Sequence, residues 1–516
     1  MLRASVLLLA LALAGCDKQD AGVDMAASSD MARNPSDDMT QPPDSDLSGA
    51  LSHDLAPAAD LRPYLYHVEI VTQPAADFVI TYWGDATMIA TYDSASFFFT
   101  ILDTTGNNVG AGINVVLTLP PGWASTNEAL ATDSNGTGGF TVYAGPLAGS
   151  YSIAIAGDSI EPLSINVTSV EPMAPNAPNF ILPLVNWTRY AEATDKNALP
   201  ASAIDRSMLS PFSLAPDSDN GYFVADPEQN RIFYVDKLGV MTFTAGTSIL
   251  GGDAGDDGLA VDALLSGPWG VALDETNQKL YFLDQTTFVN GHSFAAPIAS
   301  SKIRVIDLTS GNISRFAGGG NDANASDPLM LQMQARGLAV SATGQVVFAD
   351  LLSTDRIRSI QGLAVTTLLT AGSCDAGGKF MGCVDPDCNL AFNAAGTILY
   401  TAGSFCSNAL EQHGAIAAVT LPNTVALLTS GGVLDSGSVY SLAQHNGNLY
   451  VASSTIPAIY SMAAQAGSLA LLVGNGTSDA DYALAGNAQL ADEISLAVRS
   501  DGKLLFTFDS GVRILW

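Results

Sequence analysis

Pro268-Trp269-Gly270-Val271-Ala272 contains the pattern that decides the fold: a small residue, then Val or Leu, then Ala. The pattern occurs six times in the last 330 residues, and the Ala positions are 57, 67, 52, 52 and 54 residues apart. Such recurrence is typical of a repeat architecture. The copies are Ser213-Leu214-Ala215, Gly270-Val271-Ala272, Gly337-Leu338-Ala339, Asn389-Leu390-Ala391, Ser441-Leu442-Ala443 and Ser495-Leu496-Ala497.

Each copy begins a set of short apolar segments separated by Gly, Asn or Asp turns. In the first copy a second segment covers 222–226, a third covers 231–235 and a fourth ends at Ala245-Gly246. Four short strands in each of six repeats, without helical periodicity, predict a six-bladed β-propeller over residues 185–516. Small residues suit the innermost strands, because these strands crowd around the central axis.

Two features of the repeats resemble the NHL-repeat family of six-bladed propellers. One is the loop Gly255-Asp256-Asp257-Gly258-Leu259-Ala260 ahead of the second copy. The other is an Asp that closes the second strand, combined with an Arg on the third strand. The resemblance implies a structural role for these pairs, in which the carboxylate binds turn amides or the guanidinium. The pairs are Asp226 with Arg231, Asp284 with Arg304, Asp350 with Arg356, and Asp509 with Arg513.

The sixth repeat has only three strands before the chain stops at Trp516. The apolar segment 185–191, just before the first repeat, is the simplest source of the missing outer strand. The two ends of the propeller would then share one sheet, which leaves no open edge in the ring.

Residues 63–172 alternate apolar and polar positions in short segments, which predicts a small antiparallel β-sandwich. The segments 97–103, 106–109 and 115–118, with the turn 132–136, resemble the invasin and intimin type of bacterial Ig-like domain. That resemblance implies a stiff spacer or an adhesive module. The Pro-rich residues 173–184 are predicted to link the sandwich to the propeller. The chain is therefore expected to be all-β.

The N-terminal residues predict export and lipid anchoring. Arg3 and the apolar run of eleven residues from Ala4 to Ala14 suit a signal peptide over 1–16 and are too short to span a bilayer. The run ends in Leu13-Ala14-Gly15-Cys16, which resembles the lipobox of bacterial lipoproteins. The resemblance implies that the Cys16 thiol is acylated and anchors the protein in the cell envelope, in either the inner or the outer membrane. The alternative is an ordinary signal peptide with an incidental cysteine.

Residues 17–62 are predicted to form a disordered acidic tether. They are rich in Asp, Ser, Pro, Ala and Met, and they cannot bury enough apolar surface to offset the entropy of ordering. The whole chain has 51 acidic and 20 basic residues, a formal charge of −31. This charge argues against a nucleic-acid partner, since phosphate binding needs clustered Lys and Arg.

The four cysteines that remain after Cys16 lie close together in the fourth repeat. In an exported protein such a cluster favours two disulfides, and the spacings of eight, four and seventeen residues match no familiar zinc site. Of the three possible connectivities we favour Cys374–Cys383 and Cys388–Cys406. The cysteines are Cys374, Cys383, Cys388 and Cys406.

No catalytic site, metal site or cofactor is predicted. Propeller enzymes of the gluconolactonase-like and amidating-lyase families collect metal ligands where the inner strands begin. The equivalent positions here hold no His and no carboxylate, and Asp387 and Glu493 lie one residue further out. The alternative function is therefore a hydrolase or lyase that uses these two carboxylates and a divalent cation. The equivalent positions are Phe212, Trp269, Arg336, Cys388, Tyr440 and Ile494.

The leading hypothesis is a non-enzymatic binding platform for a protein or glycan partner, and a purely structural or sensory role is a third possibility. Long insertions occur in two classes of loop that open on one face of a propeller: 247–262, 285–300, 373–386 and 403–414. Long loops on a rigid scaffold often carry function, and aromatic anchors favour interfaces. The alternative is neutral loop growth, with the aromatics packed on the rim. The predicted binding face consists of Trp269, Phe288, His292, Phe294, Phe380 and Phe405.

Overall fold

The computed structural model describes most of the chain between His67 and Leu515. Its described part contains no α-helix and only short 3₁₀ turns at Ala260–Asp262, Pro328–Met330 and Ala485–Asn487. None of its helices has the length and apolar character needed to cross a membrane. Residues not described are 1–66, 71–77, 85–87, 92–93, 104, 127–128, 159, 172–180, 186–200, 204–207, 248–249, 285–300, 353, 373–379, 383–389, 407–411, 431–438, 454–456, 475–484, 491–493, 509–510 and 516.

Ten strands between residues 67 and 170 form a sandwich-like domain. The strands are β1 (His67–Ile70), β2 (Phe78–Gly84), β3 (Met88–Ala90), β4 (Ser94–Asp103), β5 (Asn114–Thr118), β6 (Ala124–Ser125), β7 (Ala129–Ala131), β8 (Thr137–Tyr143), β9 (Gly149–Gly157) and β10 (Ile160–Val170). One group is ordered β6-β8-β4-β2, with β1 paired to β2, and the other is ordered β10-β9-β5-β7, with β3 paired to β10. A parallel pairing of β2 with β10 connects the two groups.

Alternation along these strands builds one core. On β4, Phe97, Phe99 and Ile101 are buried, while Phe98 between them is 46% exposed. Successive side chains of a strand point to opposite faces, so every second apolar residue turns inward. The inward residues of β4 meet those of β5, β8, β9 and β10 in a single apolar cluster that includes Val115.

The remaining strands form separate sheets. The first sheet contains β12 (Ala201–Ser202), β13 (Ser213–Pro216), β14 (Tyr222–Asp226), β15 (Arg231–Val235) and β16 (Val240–Ala245), and the second contains β17 (Pro268–Asp274), β18 (Lys279–Asp284), β19 (Lys302–Asp307) and β20 (Ile313–Gly318). The third contains β21 (Ala335–Val340), β22 (Val346–Asp350), β23 (Arg356–Gln361) and β24 (Ala364–Thr370), and the fourth contains β25 (Phe380–Gly382), β26 (Leu390–Phe392), β27 (Ile398–Cys406), β28 (Gln412–Thr420) and β29 (Thr424–Ser430). The fifth contains β30 (Val439–His445), β31 (Asn448–Ser453), β32 (Ala458–Ala463) and β33 (Ala470–Gly474), and the sixth contains β11 (Ile181–Val185), β34 (Leu496–Val498), β35 (Leu504–Phe508) and β36 (Gly511–Leu515). The first sheet runs from inner to outer edge β13-β14-β15-β16-β12.

These sheets pack face to face around an axis. The inner strands contact each other in the order β13, β17, β21, β26, β30, β34, and β34 contacts β13 again. An apolar cluster lies between each sheet and the next, and one of them joins Val224 and Phe233 of the first sheet to Val512 and Ile514 of the sixth. Strands such as β14 are buried at every residue because they are covered on both faces. The arrangement is that of a β-propeller, and the prediction of an all-β chain is confirmed.

The ring closes by sharing one sheet between its two ends. β11 pairs antiparallel with β36, and the pairs include Ile181 with Leu515 and Leu182 with Ile514. The strand that closes the ring is therefore 181–185, which lies earlier in the chain than the predicted segment 185–191. Residues 181–184, assigned to the linker in the sequence analysis, belong to the ring, because hydrogen bonding to β36 outweighs the local proline content.

The sandwich packs against the propeller. A Cβ at Gly122 would overlap the Leu238 carbonyl oxygen, and one at Gly239 would lie 3.2 Å from Pro146 Cδ. Leu238 and Gly239 belong to the turn between β15 and β16. This turn lies on the propeller face where the inner strands end, because strands alternate in direction within each antiparallel sheet. The opposite face is where the inner strands begin.

Candidate functional site at the channel mouth

The inner strands enclose a channel with a volume of about 290 Å³. Its wall is made by the recurring small-residue triplets. Ser213 Oγ accepts a hydrogen bond from the Val271 N–H at 2.9 Å, and Ser441 Oγ accepts one from the Leu496 N–H at 2.8 Å. These bonds connect successive inner strands, so hydrogen bonds as well as side-chain packing hold the wall in place.

An aromatic pair lines one mouth of the channel, where the inner strands begin. The rings of Phe212 and Trp269 stack with centroids 3.3 Å apart and planes 23° from parallel. Trp269 is buried and packs in the cluster between the second and third sheets, while Phe212 is partly exposed. Of the other mouth positions, Arg336 and Ile494 are buried. The side chains of Cys388 and Tyr440 lie outside the described part.

Buried aspartates hold the segments that lead into this mouth. Asp226 accepts N–H bonds from Leu209 at 2.8 Å and Ser210 at 3.2 Å, just before Phe212. Asp284 accepts the Ser266 N–H at 2.7 Å, three residues before Trp269. The same geometry recurs in the third sheet, where Asp350 accepts from the Gln334 N–H at 3.1 Å. The recurring Asp therefore anchors the entry to an inner strand, which is the structural role that the NHL resemblance implied.

Arg304 makes several hydrogen bonds in this layer. It is fully buried and donates from Nη1 to Asp284 Oδ2 at 3.0 Å and to the Leu264 carbonyl at 2.9 Å. Its Nε donates to Asp256 Oδ1 at 2.9 Å, so the loop between the sheets is fastened to the third strand. Burial raises the pKa of Asp284 to about 7, and the Ser266 N–H and Arg304 oppose that rise.

The Arg that corresponds to Arg304 in the third sheet is Arg358, which the sequence pairing missed. Arg304 lies opposite Phe282, and Arg358 lies opposite Phe348 in the same register. Asp350 Oδ2 accepts from Arg356 Nη2 at 3.0 Å, as expected, and also from Arg358 Nη1 at 3.1 Å. The signal was present in Arg-Ile-Arg, where both Arg side chains point to the same face of the strand.

Three predicted binding residues belong to the core: Trp269, which is 5% exposed at the channel mouth, and the pair Phe380 and Phe405. Phe380 and Phe405 are 2% and 1% exposed and contact each other with ring centroids 5.5 Å apart. The expectation that they are exposed loop aromatics is therefore wrong. The insertion 403–414 is largely strand, because β27 and β28 continue through it, and β25 pairs Phe380 with Phe405. Extending the sheet buries aromatic residues that a loop would have exposed.

Other predicted residues lie outside the described part of the chain. They include Phe288, His292 and Phe294, which stay predictions as binding residues. The same holds for the disulfides, since Cys374, Cys383, Cys388 and the Cys406 side chain are not described. Asp387 and Glu493, on which the enzyme alternative depends, are also outside it, as are Cys16 and Asp509. Among the described residues, no group of three or more His, Cys, Asp or Glu is arranged to hold a metal ion.

Comparison with known proteins identifies only distant likenesses. No family model matches the sequence, and no curated protein matches it. An auxiliary nutrient-binding protein from Bacteroides ovatus is 12% identical, with 83% of this chain and 96% of that chain covered and a TM-score of 0.44. A protein of unknown function from Bacteroides thetaiotaomicron is 12% identical, with 88% and 98% covered and a TM-score of 0.43. A gluconolactonase from Xanthomonas campestris is 13% identical, with 66% and 98% covered and a TM-score of 0.39. Likenesses at this level do not indicate a shared activity.

Proposed function

We propose that this protein is a lipid-anchored component of the bacterial cell envelope that presents a binding platform and has no enzymatic role. In this proposal Cys16 carries the lipid, residues 17–62 form the tether, and an Ig-like sandwich supports a six-bladed propeller. The platform is the face where the inner strands begin, and its partner is a protein or a glycan of the envelope or the cell exterior.

The observation that carries the proposal is the Phe212–Trp269 stack at the channel mouth. The buried Trp269 ring holds the partly exposed Phe212 ring in one orientation. A ring held in this way offers a preorganised apolar surface, which lowers the entropy lost on binding. Asp226 and Asp284 fasten the segments that precede the two rings. Aromatic side chains of this kind are enriched where interfaces gain most of their affinity.

The position of the sandwich supports the choice of face. Its contact with Leu238 and Gly239 occupies the face where the inner strands end. The mouth with Phe212 and Trp269 is on the other face, so a partner could reach it without displacing the sandwich. The predicted loop 285–300, between β18 and β19, also joins strands on the mouth side.

Phe212→Ala is expected to weaken capture of the partner from envelope extract by at least about tenfold. The loss of one aromatic anchor costs about 1.4 kcal/mol or more of binding free energy, which corresponds to that factor. Capture is measured with purified full-length protein immobilised through its C-terminus, and protease-treated extract distinguishes a protein partner from a glycan. Leu363→Ala is the matched control, because Leu363 is 86% exposed in the turn between β23 and β24, on the other face. Equal capture by wild type and Phe212→Ala would contradict the proposed site.

Cys16→Ser tests the anchor independently. The serine hydroxyl cannot replace the thiol in lipobox acylation, so the protein is expected to leave the membrane fraction and appear in the soluble envelope or medium. Immunoblotting of fractionated cells measures the distribution. A single Cys374→Ser variant, which retains the lipobox, should stay with the membrane. Complete membrane retention of Cys16→Ser would refute lipid anchoring through this residue.

A further inference from the structure

We infer that the sandwich is a clamp that holds the propeller ring closed, by lying against the first sheet and close to the sixth, on either side of the point where the ring closes. The closing sheet is built from both ends of the propeller, since β11 comes from its N-terminal end and β34, β35 and β36 from its C-terminal end. A ring of this kind opens most readily where chain ends meet, because only noncovalent contacts hold them there.

The contact with the first sheet is a close approach of two turns, with glycine at one position in each. Gly122 has a φ of +77° and lies so close to the Leu238 carbonyl that a side chain there would overlap the oxygen. On the propeller side Gly239 has a φ of +81° and faces Pro146. Glycine at both positions allows the two turns to approach more closely than any other residue would.

The sandwich also lies close to the sixth sheet. A small cavity between the domains is lined by Gly122, Gly145 and Pro146 of the sandwich, by Tyr222 and Lys237 of the first sheet, and by Arg499 of the turn before β35. Glu171, just after β10, acts electrostatically on Lys503 at the start of β35. Burial lowers the pKa of Lys503, and the carboxylates of Asp501 and Glu171 oppose that change. One end of the sandwich therefore lies against the first sheet and close to the sixth.

The two propeller turns under the sandwich are also bonded to each other. Ser500 Oγ lies 2.9 Å from the Ser218 carbonyl oxygen and 2.7 Å from Asn220 Oδ1, and its single hydroxyl hydrogen can be donated to either. The Asp501 N–H donates to Asn220 Oδ1 at 3.2 Å. These bonds join the first and sixth sheets directly, but the residues are exposed, so water competes for the same groups. The sandwich adds a further contact beside this joint and ties the joint to the folding of a separate core.

Hydrogen–deuterium exchange of the full chain with Gly122→Ala tests the clamp. Peptides covering 236–240, 499–503 and β36 are expected to exchange about tenfold faster than in the wild type, since the ring ends open locally more often. Gly110→Ala is the matched control, because Gly110 lies in the same domain with a φ of +79° and has open space where a Cβ would be. It imposes similar backbone strain without touching the propeller.

The outcome is decisive even where the substitution harms the sandwich itself. Exchange in β4 reports whether the sandwich remains folded, and a clamp that is lost by unfolding should expose the closing sheet just as strongly. Gly239→Ala supplies the reciprocal test from the propeller side, with faster exchange expected at 120–123 and in β36. Wild-type exchange in β36 for both variants would overturn the inference. Equal acceleration by Gly110→Ala would also overturn it when β4 of that variant exchanges as in the wild type, because the sandwich is then still folded. The result does not depend on any partner or on the anchor.

Discussion

Removal of residues 511–516 is expected to unfold the whole propeller, with no cooperative melting transition left for this domain. β36 lies between β35 and β11, so its loss breaks two sets of main-chain hydrogen bonds at once. Val512 and Ile514 are fully buried against Val224 and Phe233 of the first sheet. Removing a single large buried apolar side chain costs about 2–5 kcal/mol, and a whole domain is stabilised by only about 5–15 kcal/mol.

Differential scanning calorimetry and near-ultraviolet circular dichroism of the truncated chain measure this loss. A deletion of residues 20–60 is the matched control, since it removes more residues and leaves every described strand in place. The control is expected to melt like the wild type. If the protein lacking 511–516 kept a propeller transition at the wild-type temperature, closure of the ring through β36 would not be needed for its stability.

The second large effect is expected at Asp226, whose burial makes propeller stability depend on pH. Burial raises the pKa of this carboxyl to about 6, although the N–H groups of Gln229, Leu209 and Ser210 oppose the rise. An Asp in an unfolded chain titrates near 3.9, so the folded state binds more protons between about pH 4 and pH 6. The contribution of Asp226 to the free energy of unfolding therefore increases by about 2 kcal/mol as the pH falls through that window.

Asp226→Asn should remove this dependence. The difference in unfolding free energy between wild type and variant is expected to grow by about 2 kcal/mol from pH 7.5 to pH 4, measured by chemical denaturation at each pH. The Asn side chain keeps one acceptor oxygen, but its NH₂ group opposes one of the backbone donors, so the variant is destabilised at every pH.

Asp133→Asn provides the control for the pH series. Asp133 is exposed in a turn, and hydrogen bonds from Thr137 and Asn135 lower its pKa, so it gains no protons in the same window. Its variant should show the wild-type slope between pH 7.5 and pH 4. A pH-independent difference between wild type and Asp226→Asn would mean that Asp226 stays ionised throughout this range.

Sequence reasoning identified the repeat because its signal is local. The triplet at Gly270-Val271-Ala272 and its copies have to be small and apolar wherever inner strands converge, and that requirement repeats at each sheet. The Asp284–Arg304 pair was identified for the same reason, since a buried carboxylate needs donors within its own sheet. In the third sheet the sequence alone does not identify which Arg corresponds to Arg304. Arg356 and Arg358 lie on the same face of β23, and only the register with β22 distinguishes the roles of the two.

What the sequence by itself determined is the all-β class, the repeated inner strand, the structural role of the recurring aspartates and the need for the ring ends to share a sheet. Tertiary structure alone decided that Leu182 pairs with Ile514, that Phe380 and Phe405 are buried, and that Phe212 stacks on Trp269. The features that the sequence determined follow from the chemistry of the side chains and from their alternation between the two faces of a strand. Each feature that the tertiary structure decided depends on partners from 25 to more than 300 residues away in the sequence, whose distance and register no local pattern encodes.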